Sequence, residues 1–255
     1  MLAVERQRII LDKLQRQGAV KVSDLSTELQ VTEKTVREDL EKLERSGHLK
    51  RIHGGAVQPT EENSQLLTLQ IPNTRCMQEK AEIAEAAIGL IRKGDIIALD
   101  GGSTTLEIAK RLANEELTVL TNDVMIIREL AVKEQIRLIV PGGYRRHNHL
   151  IGTHNLDWIR SMNVQKAFLS ATGIHPEYGL TVFIDDLIEQ KKAWVACAQT
   201  VYCVADHSKF DKAALVTFAD LDEVDLFLTD SGIAPEVLET YKAGGVQIQA
   251  AGKEE

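Results

Sequence analysis

Residues 21–57 read KVSDLSTELQVTEKTVREDLEKLERSGHLKRIHGGAV, and this stretch decides the fold of the first part of the chain. Ser23 is placed to cap a helix that carries Leu25 and Leu29 on one side. Gln30 and Val31 make a tight turn. Thr32 is placed to cap the next helix, in which Val36, Leu40 and Leu43 recur at i, i+4 and i+7 and face inward. Ser46-Gly47 ends it. The outward face then holds Lys34, Thr35, Arg37, Glu38 and Glu41, and the positive end of the helix dipole lies at its start. From His48 to Val57 there is no acid. Two short strands about Gly54-Gly55 would present Lys50, Arg51 and His53. Helices across a tight turn followed by a basic β-wing form a shape that enters a DNA groove, with Lys34, Thr35 and Arg37 where base edges are met. A helical protein-interaction module with a solvated charged face is the plainer alternative, and the wing ending in HGGA speaks against it.

Outward from this stretch, Arg6 to Leu14 is an amphipathic first helix with Ile9, Ile10, Leu11 and Leu14, stopping before Gly18. The chain of 255 residues has room for one small and one medium domain. Its net charge of −8 is unevenly spread: residues 1–58 carry 11 Lys/Arg against 9 Asp/Glu (+2), and residues 59–255 carry 19 against 29 (−10). An acidic body repels DNA, so any DNA contact belongs to the N-terminal unit. There is no apolar run of about 18 residues, so no membrane span is expected. The mixed start MLAVERQRIILDKL does not read as a signal peptide. Cys76, Cys197 and Cys203 form no CxxC and are read as buried thiols of a reduced, cytoplasmic protein.

Residues 58–76 are polar, with two prolines, and read as a connector in which Leu66, Leu67 and Leu69 can dock on a domain. From Glu79 the pattern alternates. Apolar runs at 96–99, 117–121, 136–140, 167–171, 201–205, 225–229 and 246–250 are separated by helical stretches at 79–93, up to 112, up to 133, and near 154–162, 185–199 and 234–243. That alternation predicts a mainly parallel sheet covered on both faces, with ligands at the carboxyl ends of the strands. The richest strand end is Asp100-Gly101-Gly102-Ser103-Thr104-Thr105. Two glycines admit close backbone approach, and three hydroxyls open a helix, which suits a phosphate monoester. An ordinary strand-to-helix turn with Ser/Thr caps is the alternative. The loop is neither a Walker A nor a GxGxxG sequence, so no nucleotide cofactor is expected. Other polar strand ends are Asn122-Asp123, Gly142-Gly143, Thr172-Gly173, Asp206-His207-Ser208-Lys209 and Thr229-Asp230. Lys209 is a candidate to neutralise a phosphate, and Asp100 and Asp206 to accept from hydroxyls.

The N-terminal part resembles the winged helix-turn-helix of the DeoR family of bacterial sugar-metabolism regulators. The resemblance rests on Glu5-Arg6, Val22, Leu25, Thr35-Val36-Arg37, Asp39-Leu40, Leu43-Glu44, Gly47, Arg51 and His53-Gly54-Gly55-Ala56. Thr32 stands where the family has Ser and keeps the cap hydroxyl. Glu38 stands where the family has a second Arg, placing a carboxylate near the DNA face, able to reject phosphate or accept from a cytosine amino group. The DNA-contacting set expected is Arg6, Ser23, Thr32, Lys34, Thr35, Arg37, Lys50, Arg51, His53 and Gly54.

The larger part resembles the DeoR effector domain through EKAEIAEAAIGLIRKGDIIALDGGSTT, TVLTN, PGG, KAF, GLT, Lys191, ADHSKF and LFLTD. The resemblance implies a fold similar to ribose-5-phosphate isomerase, with phosphate at Gly102, Ser103, Thr104 and Thr105 and sugar contacts from Asp100, Asn122, Gly173, Lys191 and Lys209. With Gly101, Gly142 and Asp206 these make up the effector set. It also implies a homo-oligomer, dimer or tetramer, and a phosphorylated sugar as effector of a sugar or polyol operon. Isomerisation needs a general base. The isomerase family has an acidic DGADE-like motif where this chain has Ser170-Ala171-Thr172-Gly173, so no catalysis is expected. His147, His149 and His154 fall on GGYRRHNHLIG, read as a mobile, partly solvated loop and not a metal site. Arg145 and Arg146 in it are candidates for an anionic ligand or a partner subunit. Ser208 beside His207 lacks an orienting acid in the sequence, which discounts a hydrolase. Trp158 and Trp194 are expected in the core or an interface. The expected division is 1–58 for DNA, 59–76 as linker and 77–255 as an α/β sugar-phosphate sensor, binding operator DNA, with no cofactor, no metal and no membrane.

Overall fold

A computed structural model describes residues 3–17, 19–45, 49–52, 54–57, 75–152, 155–183 and 185–252. Gly18, Ser46-Gly47, His48, His53, His154 and nearly all of the expected linker lie outside the described residues. The chain divides into two compact units, residues 1–68 and 69–255.

The first unit has three helices, α1 (Ala3–Gln17), α2 (Val22–Leu29) and α3 (Glu33–Arg45), and three short strands, β1 (Ala19–Lys21), β2 (Lys50–Ile52) and β3 (Gly55–Val57). The strands form an antiparallel sheet in the order β1-β3-β2. Its core is aliphatic, as the 3.6-residue spacing predicts: Ile10 and Leu14 of α1, Leu25 and Leu29 of α2, and Val36, Leu40 and Leu43 of α3 are all buried. Gln30 ends α2 in the left-handed region at φ 52. Thr32 Oγ1 accepts from Thr35 N at 3.2 Å, so the expected cap of α3 forms. The cap expected at Ser23 does not. The helix starts two residues earlier, with Lys21 at its N-cap, because Val22 N bonds Gly54 O at 2.9 Å and joins helix to wing. Strand β1 has no counterpart in the sequence reading. A Cβ on Gly55 would overlap Val20 O, so the wing closes onto β1 only with glycine there.

The second unit begins with α4 (Met77–Ile88), then β4 (Ile96–Leu99), α5 (Ser103–Arg111), β5 (Leu117–Leu120), α6 (Val124–Leu130) and β6 (Ile136–Ile139). A hairpin of β7 (Tyr144–Arg146) and β8 (His149–Ile151) follows, then α7 (Leu156–Arg160), β9 (Val164–Leu169), β10 (Gly173–His175) and β11 (Gly179–Val182). The chain ends with α8 (Ile188–Cys197), β12 (Ala198–Val204), β13 (Val216–Ala219), β14 (Leu226–Thr229), α9 (Pro235–Ala243) and β15 (Ile248–Ala250). Seven strands make one parallel sheet in the order β15-β14-β12-β9-β4-β5-β6. Alternate residues go to opposite faces. Ile97, Leu99 and Phe168 pack under α4, α5 and α6. Ala98, Ala167 and Leu169 pack with Ile159, Trp194 and Tyr241 from α7, α8 and α9.

The fold is therefore the mixed α/β architecture expected, with additions. Strands β10, β11 and β13 form a separate antiparallel sheet. The stretch expected as a mobile loop around His147 and His149 is the β7–β8 hairpin. Trp194 is fully buried, whereas Trp158 is about half exposed. The three cysteines are free; Cys197 and Cys203 are buried and Cys76 is only partly so. Among the described residues no helix is long and apolar enough to cross a membrane.

Candidate functional site

In the first unit, Val36, Leu40 and Leu43 hold α3 in the core, and the opposite side turns outward. Thr32, Glu33, Lys34, Arg37 and Glu38 are exposed and Thr35 partly so. Arg37 is bound by Glu33 at 2.6 Å one turn back. Glu38 is thus on the same exposed face as Lys34 and Arg37. In the wing, Arg51 and Gly54 are exposed, and Gly54 turns with φ 79. Arg51 N donates to Glu44 Oε1 at 2.8 Å, tying the wing to α3. Arg6 departs from the expected DNA-contacting set. Its side chain is only 13% exposed, and its Nε pairs with buried Asp39 at 2.7 Å, joining α1 to α3. Ser23 is exposed at the start of α2, where its hydroxyl donates to Asp24. For Lys50 only the backbone is described.

In the second unit all seven parallel strands end on one edge of the sheet. At the end of β4, residues 100–102 turn into α5. Asp100 N bonds Phe168 O and Leu106 N bonds Gly102 O. Between them, no acceptor among the described residues takes the amide N–H of Gly101, Gly102, Ser103, Thr104 or Thr105. Five successive free amides at a helix N-terminus form a cradle for an anion. The Ser103 and Thr104 hydroxyls have no partner among the described residues, while Thr105 is fully buried and its hydroxyl donates back to Gly102 O at 2.9 Å. Thr105 therefore offers a ligand its amide and not its side chain. A Cβ on Gly102 would stand 2.8 Å from Ser170 Cβ and Oγ, and one on Gly101 would overlap the His149 ring.

Beneath the cradle, Asp100 and Lys191 form an ion pair, each side chain 4% exposed. Asp100 Oδ2 also accepts from Ser170 N at 3.0 Å. Lys191 Nζ donates to Ser170 O at 2.8 Å and lies 4.8 Å over the Phe218 ring. Asp100 and Lys191, expected to touch a sugar, are thus largely engaged with each other. The pair fixes the floor of the site; two buried charges are tolerated only in such a mutual arrangement. Ser170 was not read as a site residue. Its hydroxyl lies 2.7 Å from Gly101 O and 3.1 Å from Asp100 Oδ2, holding the glycine loop in place.

At the end of β5, Asn122 Nδ2 donates to Gln190 Oε1 at 2.7 Å, while its buried Oδ1 has no partner. Asp123, named from the sequence as a polar strand end but not as an effector contact, caps α6 by accepting from Met125 N at 2.7 Å and Ile126 N at 3.1 Å. Burial pushes its carboxyl up to about 6; Asp100's charge adds to the effect and the two amides oppose it. His149 leans on Gly101 from the hairpin. Burial holds its imidazole down at about 4, with Asp100 pulling the other way, so the ring is neutral near pH 7. Arg146 pairs with Asp186 across to the turn before α8. Gly142, at φ 81, lies 3.6 Å (measured from a Cβ built on it) from Asn155 Nδ2. Gly173 is required by packing alone, since a Cβ there would overlap Lys212 O.

At the end of β12, Asp206 Oδ1 accepts from Ser208 N at 3.1 Å and from the Ser208 hydroxyl, closing a short 3-10 turn. Half-buried Lys209 at its end donates its backbone N–H to Asp206 O at 3.0 Å, while its ammonium has no hydrogen-bond partner among the described residues. His207 does have an orienting acid, contrary to the sequence reading: its Nδ1 lies 2.7 Å from Oδ2 of fully buried Asp230, at the end of β14. Ser208 turns its hydroxyl to Asp206 and not to His207. Among the described residues no group of three His, Cys, Asp or Glu side chains is placed to hold a metal ion.

An outward-facing helix with a β-wing and an anion cradle on a separate α/β unit define a DNA-binding regulator with a sensor domain. The comparisons identify the class: residues 6–62 match the DeoR-like helix-turn-helix domain, and residues 75–231 match the DeoR C terminal sensor domain. The chain belongs to the DeoR family of helix-turn-helix transcriptional regulators. It is 32% identical over 234 residues to the uncharacterized HTH-type transcriptional regulator FruR of Bacillus subtilis (strain 168), covering 91% of this chain and 92% of that protein. It is 35% identical over 236 residues to the transcriptional repressor AccR of Agrobacterium fabrum, covering 89% and 90%. Among solved structures, ribose 5-phosphate isomerase A of Methanocaldococcus jannaschii is similar over 51% of this chain and 53% of that one, at 19% identity and a TM-score of 0.39, too distant to argue function.

Proposed function

We propose that the chain represses a carbohydrate or polyol operon and that a phosphorylated sugar bound in the second unit changes its affinity for operator DNA. The observation that carries the sensing claim is the run of five unengaged amides at Gly101–Thr105, beside the free hydroxyls of Ser103 and Thr104. A phosphate monoester satisfies that set in full, and the helix dipole favours its charge. Lys209 and Asp206, on the same edge of the sheet, with Asn122 and Gly142, complete the proposed effector set; Asp100, Lys191 and Gly173 act in it as support. Lys34, Thr35 and Arg37 read base edges, while Thr32, Lys50, Arg51, His53 and Gly54 meet the backbone or minor groove. The proposed division is 1–58, 59–76 and 77–255. A homo-oligomer, dimer or tetramer, presents paired reading units, and the effector shifts it between two arrangements of unequal affinity. The repressor sign is supported by the name of the Agrobacterium relative.

No turnover accompanies binding in this reading. Asp100 is neutralised by Lys191, and Asp123 accepts the first amides of α6 through Oδ1, so both carboxylates nearest the cradle serve the fold. A mobility-shift titration of the operator fragment with inorganic phosphate and phosphorylated hexoses, pentoses and polyols tests sensing. At least one phosphosugar changes the DNA affinity about tenfold, and no change with any of them refutes the claim. Ribose 5-phosphate incubated with the pure protein stays unisomerised; steady turnover refutes the non-enzymatic reading.

A further inference from the structure

The hairpin over the cradle carries a side chain that the phosphate-binding reading does not use. His149 is fixed on both sides by backbone: Val124 N bonds Asn148 O at 2.7 Å, and Leu150 N bonds Asn122 O at 2.8 Å. Asp123 and His149 form a β-bridge between them. The ring therefore stands where the hairpin register puts it. It stands directly on Gly101, the first amide of the cradle, in space that any side chain at 101 would occupy. Its Nδ1 is buried and has no partner, and so is Asn122 Oδ1 on the strand end that supports the same hairpin. Buried polar atoms are ordinarily paired, and an orphan on the hairpin with a second on the strand end it bonds to points to a ligand group that pairs them. Their chemistry differs from that of the cradle. Amides and a dipole bind an anion, whereas an amide oxygen and an uncharged imidazole exchange hydrogen bonds with hydroxyls.

We infer that His149 is the specificity-determining residue of the sensor: with Asn122 it reads a hydroxyl of the effector close to the carbon that bears the phosphate, so the ligand class is a polyhydroxylated phosphate monoester. This rests on the phosphate reading of the cradle and adds the part that separates one phosphosugar from another. Both orphan atoms are shielded from water, so the hairpin parts from Gly101 to admit the hydroxyl. The two backbone bonds, the Asn122 Nδ2–Leu150 O bond at 3.4 Å and the Arg146–Asp186 pair are among the contacts that open as it does so.

The test uses the full chain and its His149→Ala and His149→Gln variants. Inorganic phosphate and a panel of hexose, pentose and polyol monophosphates, with deoxy analogues of the tightest binder, are titrated by calorimetry; unfolding of each free variant checks the fold. His149→Ala is expected to weaken the preferred phosphosugar tenfold or more while inorganic phosphate stays within twofold. One deoxy analogue should bind wild type and His149→Ala equally, and His149→Gln, which keeps donor and acceptor, should restore part of the loss. Equal weakening of phosphate and phosphosugar, or no weakening of either, overturns the inference and leaves the phosphate reading standing. Failure of wild type to bind any of these probes overturns both.

Discussion

Asp123 offers a test whose size follows from its surroundings. It is 4% exposed, and burial with the nearby Asp100 charge raises its carboxyl to about 6, from a model-peptide value near 3.8. Folding a chain whose acid is harder to ionise in the native state costs stability once that acid is charged in both states. Each pKa unit is worth about 1.4 kcal/mol, so a rise of about two units costs roughly 3 kcal/mol at pH 7.5. The sign is fixed by proton counts. Between about pH 4 and 6 the native state holds a proton that the unfolded chain has released, so this residue's contribution falls as pH rises, and it levels off above 6. Asp123→Asn removes the charge and keeps an oxygen that caps α6, since Asn and Asp are near-equal caps. Its new amide group offsets part of the gain. The variant is therefore expected to be more stable than wild type by about 1–3 kcal/mol at pH 7.5 and equal to it at pH 3.5. Urea unfolding of the full chain across that range, following the transition of the sensor unit, measures the difference. A gap that does not change with pH, or one that favours wild type more at pH 7.5 than at 3.5, refutes the reasoning. A bound phosphate dianion would push the same carboxyl higher, so effector binding near pH 6.5 should take up protons, read as buffer-dependent heat.

Other outcomes follow from the same geometry. Arg37→Ala should lower operator affinity by about 1–3 kcal/mol and leave the fold intact, because the side chain is exposed and its pair with Glu33 is a surface one; unchanged affinity in a mobility shift would remove α3 as reader. Ser103→Ala with Thr104→Ala should blunt the response to phosphosugars and spare DNA binding, and a full response would move the phosphate elsewhere. Asp39→Ala removes the buried carboxylate that Arg6 Nε and Gln7 Nε2 share between α1 and α3 and should cost the first unit about 3 kcal/mol, with the sensor transition unmoved; a loss under about 0.5 kcal/mol would show that the pair is not structural.

Much of this was legible along the chain. Apolar residues at helical spacing placed α3 and its inward face, and apolar runs placed the seven parallel strands to within a few residues. The Gly-Gly-Ser-Thr-Thr turn marked the cradle because glycines and hydroxyls before a helix are a local signature. Short elements were not legible. Strands of three residues such as Tyr144–Arg146 and His149–Ile151 are too brief for alternation to appear, and a run rich in Arg, His and Asn looks like loop. Ser23 failed as a cap because the wing's Gly54 O decides where α2 begins. Arg6 matched the family pattern, but only the helix packing revealed that its partner is Asp39.

Period, charge asymmetry and turn chemistry are properties of neighbours in the chain, and from them the sequence determined two units, an outward-facing helix with a basic wing for nucleic acid, and a glycine- and hydroxyl-rich turn at a strand end. The tertiary structure decided which polar groups at the strand ends remain open to a ligand. Asp100 meets Lys191, His207 meets Asp230 and His149 covers Gly101 only because the strand order β15-β14-β12-β9-β4-β5-β6 departs from chain order and gathers distant loops on one edge. Charge is neutralised through space, and spacing along the backbone carries no record of it.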